Sequence, residues 1–179
     1  MFFRKKSFLE TTVREVVFGL EDSLVSTVGA ITGIAVGTDN QMVVILSGLV
    51  ILAVEATSMG AGSYLSSKTT ELIEIGGGNK KNIPWLSIKS GLVMLVFYVF
   101  GGLVPLVPYF LFFPKQAMPI SIFLSVTALA GVGFWTGKIT KRSGWWTALE
   151  MVVISLGAVG IGYGIGWLVS QFFPVDTSA

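Results

Sequence analysis

Long apolar blocks separated by short polar breaks make up most of the sequence. Between the blocks stand "TDNQ", "SSKTTELIEIGGGNKKNIP", "FPKQAMP" and "GKITKRSG", whose Gly, Pro, Asn and Lys are typical of turns. A membrane-spanning helix needs about 20 mostly apolar residues. Five blocks reach that length, at 16–37, 42–65, 88–112, 118–136 and 145–172. The pattern predicts an all-α integral membrane protein in which residues 1–179 form a single five-helix transmembrane domain.

The composition narrows the chemistry that these helices can perform. The chain is 53% hydrophobic and 12% charged, about half the charged fraction of a soluble domain. It contains neither cysteine nor histidine, which excludes disulfides, thiolate or imidazole metal sites, and Cys–His or Ser–His nucleophiles. An enzyme is therefore the weakest hypothesis, and we expect no permanently bound cofactor. The net charge of +2 gives no reason to expect a nucleic-acid partner.

The basic residues fall mainly on one side of the predicted spans. On that side lie Arg4, Lys5, Lys6, Arg14, Lys68, Lys80, Lys81, Lys89, Lys138, Lys141 and Arg142, against Lys115 alone on the other. Because basic residues concentrate in cytoplasmic loops, this asymmetry places the N-terminus, the second loop and the fourth loop in the cytoplasm. An odd number of spans then places the C-terminus on the opposite side.

Two spans carry glycines at intervals of four residues. Gly29, Gly33 and Gly37 share a face of the first span, and Gly160 with Gly164 repeats the spacing in the last. Small residues at this spacing let helix backbones approach closely. The pattern fits packing within one chain and a subunit interface equally well.

Acidic residues inside the spans are the strongest indication of function. A charged side chain at a helix centre costs about 2.5–3.5 kcal/mol on insertion scales. The first span must include "VVFGLEDS" to be long enough, which places Asp22 about 9 Å below the cytoplasmic edge at 1.5 Å per residue. By the same count in the second span, Met59 lies about 9 Å deep and Glu55 about 15 Å deep. Glu55 and Met59, four residues apart, share a helix face.

These side chains suit a divalent metal ion. Carboxylate oxygens with one sulfur favour Fe²⁺ or Mn²⁺ over Ca²⁺ or Mg²⁺, and a carboxyl group in the membrane can also carry a proton. Glu150, near the cytoplasmic end of the fifth span, is a further candidate ligand. Each residue also has a structural interpretation: Met59 can serve packing, Glu55 can hydrogen-bond Ser or Thr across helices, and Glu150 can reach the surface beside the tryptophans.

Three more acidic residues are candidates of lower rank. Glu21 lies about 100° around the helix from Asp22, so the two cannot face one cavity. Glu71 and Glu74, three residues apart beyond the second span, could collect cations before entry. The alternative for that pair is an ordinary solvated helix face.

With these residues identified, the sequence resembles the vacuolar iron transporter (VIT) family over nearly the whole chain. "FGLEDSLVSTVGAITG" resembles the first-span motif of that family and "EATSMGAGSYLSSKT" the second-span motif. "GGLVPLVPYFL" resembles the third span, and "ALEMVVISLG" with "YGIG" the fifth. The resemblance implies a homodimer of five-span subunits that moves Fe²⁺, often also Mn²⁺, out of the cytoplasm in exchange for protons. It assigns the path between subunits to Asp22 and Met59.

The chain departs from the family pattern at three places. Ser23 follows Asp22 where the family has glycine, and Ile51 stands where the plant proteins have a second-span glutamate, with Glu55 one turn nearer to Met59. Larger relatives insert a Glu-rich metal-binding domain after the second span, whereas about twenty residues fill that loop here. These features indicate a short, prokaryotic-type member, located in the cytoplasmic membrane, or in the vacuolar membrane if the source is eukaryotic.

Two functional hypotheses result. The first is a proton-coupled exporter of Fe²⁺ or Mn²⁺ in which Asp22 and Glu55 carry the protons. The second is a non-transporting membrane scaffold or subunit whose glycine faces bind other helices. Neutralising Glu55 should abolish the function in the first case and leave it intact in the second.

Overall fold

Five long helices form the described part of the chain. The computed structural model describes residues 8–74 and 83–172, with side chains described over 11–73 and 85–172. The helices are α1 (Phe8–Thr38), α2 (Gln41–Glu74), α3 (Ile83–Leu111), α4 (Pro114–Ile139) and α5 (Gly144–Phe172). Each is long and apolar enough to cross a membrane. The prediction of an all-α integral membrane protein with five spanning helices is confirmed.

The helices are longer than the apolar blocks that predicted them. α1 begins at Phe8 rather than at residue 16, and α2 continues through Glu74 rather than ending at residue 65. In both cases the additional residues are mostly polar. An apolar block therefore marks the part of a helix that can lie in the hydrocarbon, whereas the helix itself continues beyond it.

α1 is the central helix of the bundle. It packs against each of the other four helices, while α2 packs along α3 and α4 along α5. Leu24, Val28 and Ile31 of α1 are completely or almost completely buried, and Leu24 joins Leu129 and Met151 in one of the core clusters. Ser23, Thr27 and Thr32 of α1 are likewise completely buried, so these polar side chains face other helices.

The glycines of α1 form its contact with α5. A Cβ atom on Gly33 would lie 2.7 Å from the carbonyl oxygen of Gly162, and one on Gly29 would lie 3.0 Å from that of Ala158. Gly37 faces Gly166 across the same contact. The α1 glycine face thus packs within one chain. Gly160 and Gly164 of α5 face away, with nothing within 4 Å of a Cβ atom at either position.

Two polar contacts join the loops at one end of the bundle. The Lys115 ammonium group, at the start of α4, lies 2.8 Å from the Asp39 carboxylate in the α1–α2 turn. Gln41 donates a hydrogen bond of 2.7 Å to the carbonyl oxygen of Tyr109 near the end of α3. Lys138, Lys141 and Arg142 lie at the opposite end. The sidedness of the membrane stays a prediction; Arg4, Lys5, Lys6, Lys80 and Lys81, on which it partly depends, lie outside the described residues.

Candidate metal-binding site

A stripe of polar and small residues runs along one face of α1. Glu15, Gly19, Asp22 and Ser26 follow one another at intervals of four, three and four residues, which keeps them on one side of a helix. α2 runs antiparallel to α1, and α3 packs against both. The stripe therefore extends about 16 Å along α1 next to residues of two other helices.

The Glu55 carboxylate is held at the inner end of this stripe. Its Oε2 atom accepts a hydrogen bond of 2.6 Å from the hydroxyl of Tyr98 on α3 and one of 3.1 Å from the hydroxyl of Ser26 on α1. The two hydroxyl oxygens also lie 2.9 Å from each other. Three helices thus meet at a single carboxylate oxygen, with Tyr98 1% exposed.

Asp22 lies beside this group, one helical turn from Ser26. Its carboxylate interacts electrostatically with the Glu55 carboxylate and with the Tyr98 hydroxyl. The structure therefore brings Asp22 and Glu55 together, although they belong to different helices and were predicted at different depths. Both side chains are partly exposed, so an ion could reach them. We call Asp22, Ser26, Glu55 and Tyr98 the carboxylate cluster.

Met59 adjoins the carboxylate cluster. Its side chain packs against the core group that contains Tyr98, Leu52 and Ala56. It also lines a cavity between α1, α2 and α3. Met59 thus makes the packing contacts that its apolar character predicts and at the same time lines a cavity.

Glu21 and Glu150 form a separate acidic pair. Their carboxylates interact electrostatically with each other. The Glu21 carboxylate also interacts electrostatically with that of Asp22, the next residue of α1. Glu21 lines a groove with Thr136 of α4 and with Thr140, which directly follows α4, on another side of α1 from the carboxylate cluster. Glu150 is exposed on the surface of the single chain. Neither residue is hydrogen-bonded to Glu55 or Tyr98.

Glu71 occupies a structural position at the end of α2. Its Oε2 atom accepts a hydrogen bond of 3.2 Å from Ser87 in the first turns of α3. The contact ties the polar extension of α2 to α3. The side chain of its predicted partner, Glu74, lies outside the described residues.

The ligands available within one chain are few. Over residues 8–74 and 83–172, no group of three or more Asp, Glu, His or Cys side chains could surround a metal ion. What one chain offers at the carboxylate cluster is two carboxylates, two hydroxyl oxygens and the nearby thioether of Met59. Such a set would surround a divalent cation incompletely and would leave coordination positions for water or for a second chain.

Sequence reasoning missed Tyr98 and Glu15. The tyrosine stands in "LVFYVFGG", where nothing marks its hydroxyl as different from an interfacial one. Glu15 directly precedes the predicted first span, so it reads as a surface residue, yet it is 1% exposed. The one signal available was helical spacing, since Glu15 lies seven residues, or two turns, before Asp22.

Comparison with known proteins finds relatives over most of the chain. The model of the VIT family matches residues 13–76 and 74–167. Vacuolar iron transporter 1 of Oryza sativa subsp. japonica is 26% identical over 210 aligned positions, which cover 86% of this chain and 83% of the rice protein. Vacuolar iron transporter homolog 4 of Arabidopsis thaliana is 28% identical over 164 positions, covering 87% and 77%. An uncharacterised protein of Methanocaldococcus jannaschii is 27% identical over 162 positions, covering 82% and 84%.

The alignment with the rice protein is longer than this chain. Its 210 aligned positions exceed the 179 residues of this chain, so the rice protein carries additional residues inside the matched region. The two segments matched by the family model meet at residues 74–76, between α2 and α3. The plant relatives are named as transporters, and the chain is not an enzyme. This integral membrane protein belongs to the VIT family.

Proposed function

We propose that the chain transports divalent metal, Fe²⁺ and also Mn²⁺, out of the cytoplasm in exchange for protons. The observation that supports the proposal most directly is the hydrogen-bonded carboxylate cluster. Two carboxylates from different helices lie together inside a membrane bundle, where charge is costly unless it serves a ligand. The names of the plant relatives, which are vacuolar iron transporters, supply the metal.

Charge balance accounts for the coupling to protons. A divalent cation bound between Asp22 and Glu55 neutralises both carboxylates. When the cation leaves, two negative charges would remain close together in a medium of low dielectric, which is unfavourable. Protons arriving from the other side restore neutrality and allow the empty site to return. The hydroxyls of Tyr98 and Ser26 hold Glu55 in place in both states.

A homodimer would complete the coordination that one chain leaves open. An apolar groove of about 620 Å³ runs between α1 and α5 and is lined by Ser26 of the carboxylate cluster together with Gly29, Gly33 and Gly162. A second subunit against this side of α1 would bring its own polar stripe near the first. In that arrangement the path lies between subunits, and Glu150 and Glu21 stand at its edge.

The charge asymmetry of the loops supports an assignment of the two ends of the proposed path. With the N-terminus in the cytoplasm, metal enters beside the first turns of α1 and leaves near the Lys115–Asp39 ion pair. The archaeal relative supports the cytoplasmic membrane of a prokaryote as the location.

Reconstitution in liposomes tests the proposal. Entry of Fe²⁺ and of Mn²⁺ is followed together with internal pH for wild type, Asp22→Asn and Glu55→Gln, and for Glu71→Gln as a matched control at a carboxylate outside the cluster. We expect metal-driven proton movement in wild type and in Glu71→Gln, and its loss in the two cluster variants. Correctly folded wild-type protein that moves no metal would favour the alternative, a membrane scaffold, and flux that survives Glu55→Gln would remove that carboxylate from the mechanism.

A further inference from the structure

The cavity that Met59 lines lies beside α1, between the carboxylate cluster and the N-terminal end of the helix. It has a volume of about 620 Å³ and lies between α1, α2 and α3. Its lining includes Arg14, Glu15, Ser58, Met59, Ser63 and Met94. None of these residues belongs to the carboxylate cluster, although Met59 adjoins it. We call this space the outer cavity.

Glu15 places a buried carboxylate in the outer cavity. Its side chain is 2% exposed, and its Oε1 atom lies 2.7 Å from the Arg14 guanidinium group, whose side chain is 56% exposed. A buried carboxylate requires a cation nearby. Here the cation is the guanidinium group of Arg14, the preceding residue, whose flexible side chain is half exposed. Arg14 can therefore swing out and be replaced by another cation without any movement of a helix.

Ser63 adds a hydroxyl group that lacks a partner. The residue is 8% exposed, and its Oγ atom is buried without a hydrogen bond. Other hydroxyls on the exposed faces of α2, such as those of Thr57 and Thr69, hydrogen-bond the carbonyl oxygen four residues earlier. A buried hydroxyl that makes no such bond and lines a cavity is available to a ligand.

Met94 brings a sulfur atom to α1 between the two acidic positions. A Cβ atom on Gly19 would lie 3.3 Å from the Met94 sulfur, so the glycine lets the thioether reach the helix backbone. Gly19 stands one turn after Glu15 and three residues before Asp22. Met59 lines the same cavity from α2. The two sulfur atoms therefore belong to the space that separates Glu15 from the carboxylate cluster.

We propose that Glu15, Ser63, Met59 and Met94 form a second metal site, at which a divalent cation of borderline softness such as Fe²⁺ binds before it reaches Asp22 and Glu55. Only the direction of travel rests on the proposed function; the site itself does not. One carboxylate, one hydroxyl and two thioethers form a softer and less charged set than the carboxylate cluster. Mg²⁺ and Ca²⁺ prefer all-oxygen ligands, so this site admits Fe²⁺ and excludes the two more abundant cations.

X-ray absorption at the iron edge tests the sulfur ligands directly. The full chain, with its methionines replaced by selenomethionine, is placed in lipid nanodiscs and loaded with Fe²⁺ without oxygen. We expect an iron–selenium shell that weakens in Met94→Leu and persists in Met151→Leu, a control at a buried methionine outside the outer cavity. A spectrum with only oxygen neighbours, or one unchanged by Met94→Leu, overturns the proposal.

Two further variants separate metal binding from structural support. Glu15→Gln should weaken equilibrium Fe²⁺ binding at this site on the order of tenfold or more, because it removes the charged ligand. Ser63→Ala should weaken Fe²⁺ binding while leaving unchanged or raising the thermal midpoint of the metal-free protein, because it removes an unsatisfied hydroxyl. Ser63→Ala that lowers the midpoint with Fe²⁺ affinity unchanged would show a structural role and exclude Ser63 as a ligand.

The outcome is distinguishable from a failure of the proposed function. Binding and absorption are measured without transport and are repeated in Asp22→Asn/Glu55→Gln, which isolates the outer cavity. An iron–selenium shell that persists there while wild-type liposomes show no flux would leave the site standing and remove the transporter. Flux in wild type with Fe²⁺ affinity unaffected by Glu15→Gln and Met94→Leu would do the reverse.

Discussion

Tyr98 hydrogen-bonds to the Glu55 carboxylate of α2. Among the described residues, Glu55 is the only acid that accepts hydrogen bonds from two other helices, α1 and α3. The Tyr98 hydroxyl donates a hydrogen bond of 2.6 Å to Glu55 Oε2 and lies 2.9 Å from the Ser26 hydroxyl oxygen. It therefore fixes the position of the Glu55 carboxylate and the distance between α1 and α2. Such a bond to a charged group contributes about 1.5–3 kcal/mol. Tyr98 is therefore a positioning residue, acting through Glu55.

Tyr98→Phe should lower the free energy of unfolding by about 1–3 kcal/mol and weaken metal binding, because Glu55 keeps only the Ser26 bond. Thermal unfolding and Fe²⁺ titration in detergent measure the two effects. Tyr109→Phe is the matched control: Tyr109 is equally buried, but its hydroxyl has no hydrogen-bond partner. Removing that hydroxyl should leave both quantities unchanged or raise stability. Equal losses in the two variants would contradict the positioning role.

Depth along each helix was available from the sequence, but rotation about each helix axis was not. Counting residues from the membrane edge selected Asp22, Glu55 and Met59, and the structure places these three near one another. The spans are apolar on nearly every side, so no apolar stripe showed which face of α3 meets α1. Tyr98 and Met94 depend on that rotation, and for this reason they emerged only from the three-dimensional structure.

At the scale of helices, close backbone contact holds α1 to α5. The carbonyl oxygen of Gly162 occupies the space where a side chain on Gly33 would begin, at 2.7 Å. Because the obstructing atom belongs to the backbone, it cannot move aside as a flexible side chain would. The glycine spacing in the sequence indicated such a contact but could not tell an internal one from one between subunits.

Gly33→Ala should lower the free energy of unfolding by about 1–3 kcal/mol, as overpacking does in other cores. Gly160→Ala should not lower it, because nothing lies within 4 Å of a Cβ atom there within one chain. Thermal or denaturant unfolding in detergent compares the two. Should Gly160→Ala prove the more harmful substitution, the Gly160–Gly164 face would be packed against another chain.

The ends of the helices were predicted less well than their existence. Apolar blocks of about 20 residues identified all five spans, since hydrocarbon thickness sets that length. Helical hydrogen bonding does not stop at the membrane surface, however. α2 continues nine residues beyond its predicted span, and in this extension Glu71 accepts a hydrogen bond from Ser87 of α3.

At the scale of the whole molecule, successive loops lie at alternate ends of the five-helix bundle. Gln116 near the start of α4 and Ser143 just before α5 are both exposed and lie at opposite ends of α4. Because the natural chain contains no cysteine, each position can carry the only thiol in the protein.

Single-cysteine variants at these positions should report membrane sidedness. In intact cells a membrane-impermeant maleimide should label Gln116→Cys and leave Ser143→Cys unlabelled until the membrane is opened, because basic loops stay in the cytoplasm. Mass shift of the purified protein measures labelling. The reverse pattern would invert the proposed direction of transport while leaving the metal sites as described.

The extension of α2 has a consequence for how the family can vary. At 34 residues and 1.5 Å per residue, α2 is about 51 Å long, roughly 20 Å more than the hydrocarbon core requires. The Glu71–Ser87 bond braces this projection against α3. The two segments of the family match meet at residues 74–76, where α2 ends. A domain inserted at that point would lie outside the bilayer, attached to a rigid helical extension. This architecture can therefore gain or lose an entire domain without a change in the packing of the spanning helices.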